Sequence, residues 1–205
     1  MYIPEYFNME DPEAIEHIVR ENALGTLITA SPDRLKVTHL PLMYARSGDG
    51  GIITGHVSRE NDHWEVLDGE SESLAIFQGP DAYVSPDWYQ EGPAAPTWNF
   101  AIVHMRGPVR AIEASEWLSA HVDELTKRHE TKALGHPNPT DREYQTGRIA
   151  GIVGVQMKVT SIEAKFKLNQ NRSAADRAKV ADQLDVSGDQ LAAAVAALMR
   201  KHGVD

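Results

Sequence analysis

The segment GHVSRENDHW, Gly55 to Trp64, follows the apolar pair Ile52-Ile53 and is therefore predicted to be the end of a strand that continues into a loop. Arginine binds phosphate oxygens in pairs, hydroxyl and amide groups add neutral donors, and glycine lets the backbone approach a ligand closely. The segment carries this set in Gly55, Ser58, Arg59 and Asn61. It matches no standard phosphate-loop pattern, so a polar loop that caps a short helix starting at Asp62 is the alternative.

The composition of the chain is that of an ordinary globular protein. Its 205 residues are 41% hydrophobic and 24% charged, and fit one large domain or a domain with an appendage. The absence of cysteine excludes disulfides, thiolate metal sites and cysteine nucleophiles, so redox chemistry would need a cofactor. A formal net charge of -10 disfavours nucleic acid and anionic membranes as partners. A cytoplasmic protein is expected, since neither a membrane-spanning apolar run nor a signal-peptide pattern is found.

Hydrophobic alternation and turn residues predict six strands connected mostly by short turns. We expect them at Gly25–Ala30, Leu35–Ala45, Gly51–Val57, Ser73–Gly79, Ala101–Ile112 and Ile152–Phe166, the last with a register change near Thr160. This order is a meander and not an alternation of strands and helices. The predicted fold is mainly β, a closed or split antiparallel barrel with helices added at its ends.

Capping residues and helical spacing predict the helices around this barrel. We expect one after Asp11-Pro12, one from Asp62 to Leu67, one capped by Ser115, one over Ala174–Leu184, and one from a capping box of Ser187 with Gln190 to Gly203. A long ordered loop is predicted over Ala82–Phe100, and turns in GHPNPTD, Gly135 to Asp141.

Two further segments carry groups that suit a flat anionic ligand. Trp98 beside Asn99 offers an aromatic wall and an amide, although a core tryptophan next to a turn asparagine has the same sequence. The segment KLNQNR offers Lys167, Gln170 and Arg172 at a strand-to-helix junction, where Asn171 or Ser173 could instead cap a helix.

The histidines and serines show no catalytic or metal-binding pattern. His56 and His63 are seven residues apart, with His39 and His104 on other strands, and no closely spaced pair suits a metal. No metal is expected, while haem ligation by one of these histidines stays open. The chain has no serine-hydrolase elbow and no dinucleotide fingerprint.

Several motifs together resemble the PaiB family of FMN-binding negative transcriptional regulators. They are MYIPEYF, LPLMY after Thr38-His39, GHVSRENDHW, AIFQGPDAYVSPDWY, PTWNF followed by VHMRG, and KLNQNR, in this order along the chain. PaiB-like proteins are similar to the flavin-binding split barrels of the pyridoxamine phosphate oxidase type. The resemblance implies FMN as cofactor and a homodimer with cofactor sites between subunits. The domains expected are an FMN-binding split barrel over 1–170 and a helical extension over 171–205 that packs on it.

The resemblance also implies roles for individual residues. Ser58 and Arg59 would hold the FMN phosphate with help from Asn61, and Gly55, His56 and Val57 lie on the strand that leads to them. Thr38, His39, Leu40 and Pro41 would form the strand beside the flavin ring, with Gln78 a contact from the next strand, and Trp98 and Asn99 nearby. Glu60 departs from the Ser-Arg-Lys pattern of the wider group. Because a phosphate dianion wants about two cationic partners, Lys167 or Arg172 would then replace the missing charge from across the dimer.

The resemblance implies a flavin-binding regulator, and two alternatives stay open. One is an FMN-dependent oxidoreductase acting on an unknown small substrate, for which no catalytic residue is identified. The other is a haem-binding split barrel. Direct DNA contact follows from the resemblance alone, because no helix-turn-helix with a basic recognition helix is found.

Overall fold

The computed structural model describes residues 1–48, 50–90, 93–130 and 147–203. The chain forms two compact units. Unit 1 comprises Met1–Asn22, Phe77–His104 and Glu163–Asp205, and unit 2 comprises Ala23–Ile76 and Met105–Ile162. Two long strands, Asp68–Val84 and Thr97–Ile112, run from one unit into the other.

The described residues form eight strands and four α-helices. The strands are β1 Leu24–Ala30, β2 Leu35–Pro41, β3 Met43–Ser47, β4 Gly50–Ser58, β5 Asp68–Val84, β6 Thr97–Ile112, β7 Ile152–Val159 and β8 Ser161–Lys167. The helices are α1 Pro12–Glu21, α2 Ser115–His129, α3 Ala174–Asp185 and α4 Gln190–His202, with 3-10 turns at Glu5–Phe7, Asp62–Val66 and Pro86–Trp88. No described helix is both long and apolar enough to cross a membrane.

Unit 2 is built on an antiparallel sheet that curls until its ends approach. The strand order is β2-β1-β5-β6-β7-β4-β3, with β8 also paired to β6. The two outermost strands, β2 and β3, are consecutive along the chain and separated only by Leu42. Because one residue spans less than 4 Å, the two edges of the sheet must meet at this point. The predicted mainly β fold of split-barrel type is confirmed.

Buried side chains at the meeting point explain why the chain turns there. Leu42 is buried, and its N–H donates to the carbonyl of Ala23 at 2.8 Å. A Cβ at Gly55 would lie 2.9 Å from Leu42 Cδ2 and 3.0 Å from the Pro41 carbonyl oxygen. The prediction of one strand over Leu35–Ala45 is therefore wrong: it breaks at Leu42, where the chain passes from one edge of the sheet to the other.

Unit 1 has its own apolar core. Its fully buried large side chains are Ile18 of α1, Phe77 of β5, Phe166 of β8, Leu184 of α3, and Leu168, which follows β8. The N-terminal segment joins β8 through the Met9 N–H, which donates to the Ala164 carbonyl at 3.0 Å. The C-terminal helices α3 and α4 pack on each other in this unit. The expected division of the chain at residue 170 stays a prediction.

Several predicted helix ends are confirmed and two are wrong. Asp11 caps α1, Ser173 caps α3, and α4 ends at Gly203. Ser115 is the first residue of α2, not its cap, and Ala114 before it has no side chain that could bond. The predicted capping box at Ser187 is also wrong, because the Asp189 carboxylate accepts from the Leu191 N–H at 2.9 Å and caps α4.

The strands differ from the prediction mainly in length and number. The chain breaks at Thr160 as expected, which separates β7 from β8. The predicted loop over Ala82–Phe100 is shorter, since β5 continues to Val84 and β6 begins at Thr97. The GHPNPTD segment lies outside the described residues.

Candidate functional site

The end of β4 leads into a loop that is folded against its own 3-10 turn. The side chain of Asn61 caps this turn, its Oδ1 accepting from the His63 N–H at 3.0 Å. The indole N–H of Trp64 donates to the Arg59 carbonyl at 3.0 Å. The capping alternative is thus observed, with Asn61 as the cap, and these bonds hold the loop in one conformation.

A hydrogen-bond network fastens this loop to β2. Thr38 Oγ1 lies 2.8 Å from His63 Nδ1 and accepts from Asn61 Nδ2 at 3.2 Å. His63 Nε2 lies 3.0 Å from Thr29 Oγ1, which lies 2.7 Å from the Ser73 hydroxyl. We call this set the Thr38–His63 network. It brings together two segments that the sequence analysis had assigned to one site, Thr38–Pro41 and Gly55–Asn61.

The network and burial together set the state of His63. Thr38 Oγ1 pairs with His63 Nδ1 and Thr29 Oγ1 pairs with His63 Nε2, so one ring nitrogen of neutral His63 donates and the other accepts. His63 is 1% exposed, and its burial lowers its pKa below the ordinary 6.5, as does Lys36 to a smaller degree. A neutral, buried ring bonded at both nitrogens is a structural group, as the sequence analysis favoured.

Two cations beside this loop, Lys36 and Arg34, are not among the predicted site residues. Asp62 Oδ2 is 2.6 Å from Lys36 Nζ and 2.7 Å from Arg34 Nη2. Hydrogen bonding from Lys36, and further from Arg34, lowers the pKa of the Asp62 carboxyl. Lys36 lies two residues before Thr38 on β2, on the same face. Period-two alternation from Thr38 was the signal that could have identified it.

The side chains of Ser58 and Arg59 lie at the surface with partners from the protein itself. Ser58 Oγ accepts from the Glu60 N–H at 3.3 Å. The Arg59 guanidinium donates to Glu113 at 2.7 Å and to the carbonyl oxygens of Ala150 and Ile152 at 3.0 and 3.4 Å. Glu113 is 59% exposed, and an ion pair in contact with water exchanges at little free-energy cost.

The other residues of β2 and β4 divide into exposed and buried positions. His39 and Pro41 of β2 are exposed, whereas Leu40 is buried. Val57 is also buried, and Gly55 packs against β2 and its connection to β3. The close approach predicted at Gly55 is therefore an approach to the protein's own chain, because the barrel closes there.

His56 of β4 belongs to a different cluster, which it forms with residues of α2. Its Nδ1 lies 3.2 Å from His121 Nε2, and the His121 ring stacks on Trp117 with centroids 5.1 Å apart. Burial lowers the pKa of His56, and burial together with the neighbouring His56 lowers the pKa of His121 to about 4. This pairing attaches α2 to β4.

The predicted residues of β5 and β6 that fall in unit 1 differ in accessibility. Trp98 is 53% exposed and meets Tyr83 edge to face, with centroids 6.2 Å apart. Asn99 is fully buried, and its amide donates to Met199 Sδ at 3.4 Å. Gln78 is exposed and donates to Asp81 at 3.3 Å. Asn99 therefore has a packing role, whereas Trp98 and Gln78 lie at the surface.

The side chains of the KLNQNR segment, also in unit 1, differ in whether they could bind a ligand. Gln170 uses its amide within the turn, accepting from the Leu168 N–H and donating to the Phe166 carbonyl. Lys167 donates to Thr97 Oγ1 at 2.6 Å and to the Trp98 carbonyl, and Arg172 lies over the Tyr89 ring. Burial, then Lys165 and Arg172, lower the pKa of Lys167. The two cations, not Gln170, are available to an anion here.

Within unit 2 the residues fit the flavin mononucleotide that the sequence analysis expects. Among the described strands β2 pairs with β1 alone, so backbone donors and acceptors along its other edge are left for a flat ring. A hydroxyl, an amide and cations occur at the end of β4 and on β2 beside it, in Ser58, Asn61, Arg59 and Lys36. Fixed donors at a strand end beside an open sheet edge are what such a ligand requires.

Comparison with known proteins agrees with this geometry. The family described as "Putative FMN-binding domain" matches residues 1–161. Protease synthase and sporulation protein PAI 2 from Bacillus subtilis (strain 168) is 36% identical over 204 residues, which is 97% of this chain and 96% of that protein.

Solved structures with low sequence identity share the fold. The flavocytochrome Anf3 from Azotobacter vinelandii has a TM-score of 0.60 and 14% identity, over 80% of this chain and 72% of that one. The FAD and heme binding protein from Mycobacterium smegmatis has a TM-score of 0.60 and 13% identity, over 83% of this chain and 78% of that one. The family match and the identity to PAI 2 both extend over most of the chain, so this protein belongs to the PaiB family of FMN-binding proteins, with FMN as its cofactor.

Proposed function

We propose that this protein is a homodimeric regulator that holds FMN beside β2, with the FMN phosphate at the end of β4. The observation that supports this most directly is the Thr38–His63 network, which ties the phosphate-competent loop to the edge strand. Ser58, Arg59 and Asn61 would bind the phosphate, and the backbone of Thr38–Pro41 would contact the ring. When bound, FMN supplies redox chemistry, and the residues of this chain position it.

Lys36 would supply the cation that Glu60 does not. A partly buried phosphate dianion needs about two cationic partners. Arg59 is one, and Lys36 is the nearer candidate for the second, since its Nζ lies 2.6 Å from Asp62 beside the end of β4. Arg34 pairs with Asp33 at 3.9 Å as well as with Asp62, so a phosphate would compete with carboxylates for Lys36 as it does for Arg59. Lys167 and Arg172 of the partner subunit remain candidates for further contacts, because both are half-buried cations of unit 1 that lie beside aromatic rings.

Arg59 would exchange its partner when FMN binds. Its guanidinium bonds Glu113, but a phosphate in a fixed site competes well against an exposed carboxylate. Its bonds to the carbonyl oxygens of Ala150 and Ile152 use other nitrogen atoms and can persist. These contacts would hold the guanidinium in place for the phosphate.

The test compares FMN with riboflavin, which has the same ring and no phosphate. We expect Arg59→Ala and Lys36→Gln each to weaken FMN binding about tenfold to a hundredfold, as for lost charge-assisted hydrogen bonds, and to leave riboflavin binding unchanged. Lys127→Gln on α2 makes the same charge change away from this loop and is the control. Flavin fluorescence titration provides the constants. Equal weakening of both ligands, or no change in either, would contradict the phosphate assignment.

A regulatory role is supported by family membership and by the name of its relative PAI 2, which refers to protease synthesis and sporulation. Helix α4 is a poor DNA-recognition element. Its buried face is Ala192, Val195, Ala196, Leu198 and Met199, and its Arg200 pairs with Asp182 and Asp185. A contact with DNA would need another surface.

Three measurements separate the regulator from its alternatives. A gel shift on the protein's own promoter at physiological salt tests DNA binding, and an NAD(P)H oxidation assay tests the oxidoreductase. The absorbance spectrum of the purified protein distinguishes flavin from haem, which would give a Soret band. Turnover without a gel shift would favour the enzyme over the regulator.

The homodimer is supported by aromatic side chains exposed on unit 1. They are Tyr2, Tyr6, Tyr83 and Trp98, and tyrosine and tryptophan are enriched at protein interfaces. A dimer by light scattering is expected, and Trp98→Ala should weaken it. A monomer that binds FMN tightly would contradict this part of the proposal.

A further inference from the structure

We propose that a cavity in unit 2, remote from the end of β4, binds a small organic anion with an apolar body. The cavity has a volume of about 610 Å³, which lies in the range of small-molecule sites. It opens at the start of β4 and over β6 and β7. Its lining includes Ser47, Ile52, Arg110, Gln156, Lys158 and Val159.

This cavity is separate from the proposed FMN phosphate site. Ile52 lies in the cavity lining, and Ser58 is six residues further along the same strand. A β-strand rises about 3.3 Å per residue, so the two positions are roughly 20 Å apart. No residue of the Thr38–His63 network lines the cavity. The inference therefore does not depend on where FMN binds.

Cross-strand pairing explains how the cavity obtains its polar groups. Arg110 of β6 is the register partner of Gln156 on β7, and Lys158 of β7 is the partner of Ile52 on β4. Gln156 and Lys158 are two residues apart, so both project from the same face of β7. Three adjacent strands thus present a guanidinium, an amide and an ammonium group around one apolar side chain.

The two cations of the cavity have no acidic partner within the described part of the chain. Arg110 Nε and Nη2 both donate to Gln156 Oε1, at 3.0 and 2.6 Å. This arrangement turns the Gln156 amide nitrogen and the remaining guanidinium donors toward other acceptors. Lys158 pairs with no carboxylate of the described residues. In a chain with a formal net charge of -10, two cations without acids in one cavity indicate a site for an anion.

Glycine is required at two positions of the lining because of the backbone. Gly51 has φ +146°, and a Cβ there would lie 2.6 Å from both the Ala45 carbonyl oxygen and the Tyr44 ring. Gly69 has φ +80°, a conformation that favours glycine. Met157 and Val159 alternate with Gln156 and Lys158 and are buried on the opposite face of β7. The apolar side chains of the lining that suit the body of the ligand are therefore Ile52, which is 41% exposed, and Pro108.

The experiment titrates FMN-loaded protein with three probes and follows the methyl NMR signals of Ile52, Met157 and Val159. The probes are 3-phenylpropionate, phenyl phosphate and the neutral 3-phenyl-1-propanol. At least one anion should bind ten times more tightly than the alcohol, and the tighter anion identifies the preferred head group. Arg110→Gln and Lys158→Gln should each weaken that anion about fivefold to tenfold without affecting the alcohol.

Two further variants complete the test. Lys127→Gln on α2 removes a cation outside the cavity and should change nothing. Ile52→Trp should block all three probes by filling the cavity, and its methyl spectrum reports whether the protein remains folded. Equal affinity for anion and alcohol, unchanged anion affinity in both charge variants, or shifts confined to methyl groups outside the cavity would overturn the proposal. Protein without FMN should give the same titration, so failure of the FMN site would be recognised separately.

Discussion

Replacing Thr38 with valine tests whether the Thr38–His63 network holds the loop on β2. Valine has nearly the same shape, so the change removes the hydroxyl and creates no large cavity. Two hydrogen bonds are lost, to His63 Nδ1 and from Asn61 Nδ2. Asn61 is partly exposed and can bond water instead, but His63 is 1% exposed and its Nδ1 would have no replacement partner.

The expected loss of stability follows from this difference in exposure between Asn61 and His63. A buried polar group left without a partner costs about 1–3 kcal/mol, and the net value of the Asn61 bond adds about 0.5–1 kcal/mol. We expect the free energy of unfolding of Thr38→Val, measured with urea in the absence of FMN, to fall by about 2–3 kcal/mol. The dependence on urea concentration should be unchanged, since the surface exposed on unfolding is the same. FMN affinity should fall as well, because the loop proposed to hold the phosphate is released.

Thr26→Val is the matched control. Thr26 Oγ1 also lies 2.9 Å from a histidine nitrogen, Nδ1 of His39, but this pair is exposed to water. Its loss should cost less than about 0.5 kcal/mol, because water replaces the bond. A similar small loss for both variants would refute the reasoning that burial of His63 makes the network stabilising.

Three further substitutions test other contacts of the structure. Gly55→Ala places a Cβ 2.9 Å from Leu42 Cδ2, and we expect a loss of about 1–3 kcal/mol in urea unfolding, whereas an unchanged value would mean that the sheet edges do not meet there. Gly154→Ala places a Cβ against the Trp117 ring, so it should displace that ring, with altered tryptophan fluorescence and a similar loss of stability. His121 has a pKa of about 4 in the folded protein against an ordinary 6.5, so the unfolded chain binds the proton first as the pH falls. Stability should therefore decline from about pH 6.5 to about pH 4, and His121→Gln should flatten this decline in urea unfolding measured across that window.

The sequence predicted more of the fold than of its connections. Asp11 is recognisable as a helix cap from the sequence, and Ser173 as one of two candidates with Asn171, because a cap is a local hydrogen bond between residues close in the chain. The break at Leu42 was missed, because it depends on contacts with Ala23 and Gly55, which are distant in sequence. At Ser187 a local pattern was present, but Asp189 provided a competing cap nearer the helix.

The same distinction applies to the candidate site. Donor types and motif order were enough to predict the PaiB family and FMN. They could not reveal that Asn99 is buried against Met199, or that the Gln170 amide forms hydrogen bonds within its own turn. Lys36 was missed although it shares a face with Thr38, because its relation to the loop appears only through Asp62.

The sequence by itself determined which chemical groups are available, and their order along the chain identified the family. Only the tertiary structure decided which of them act together. Thr38 and His63 are 25 residues apart, and they meet because the sheet of unit 2 curls until β2 lies beside the end of β4. That closure depends on burying Leu42 against Gly55, a long-range packing condition that no local pattern of residues encodes.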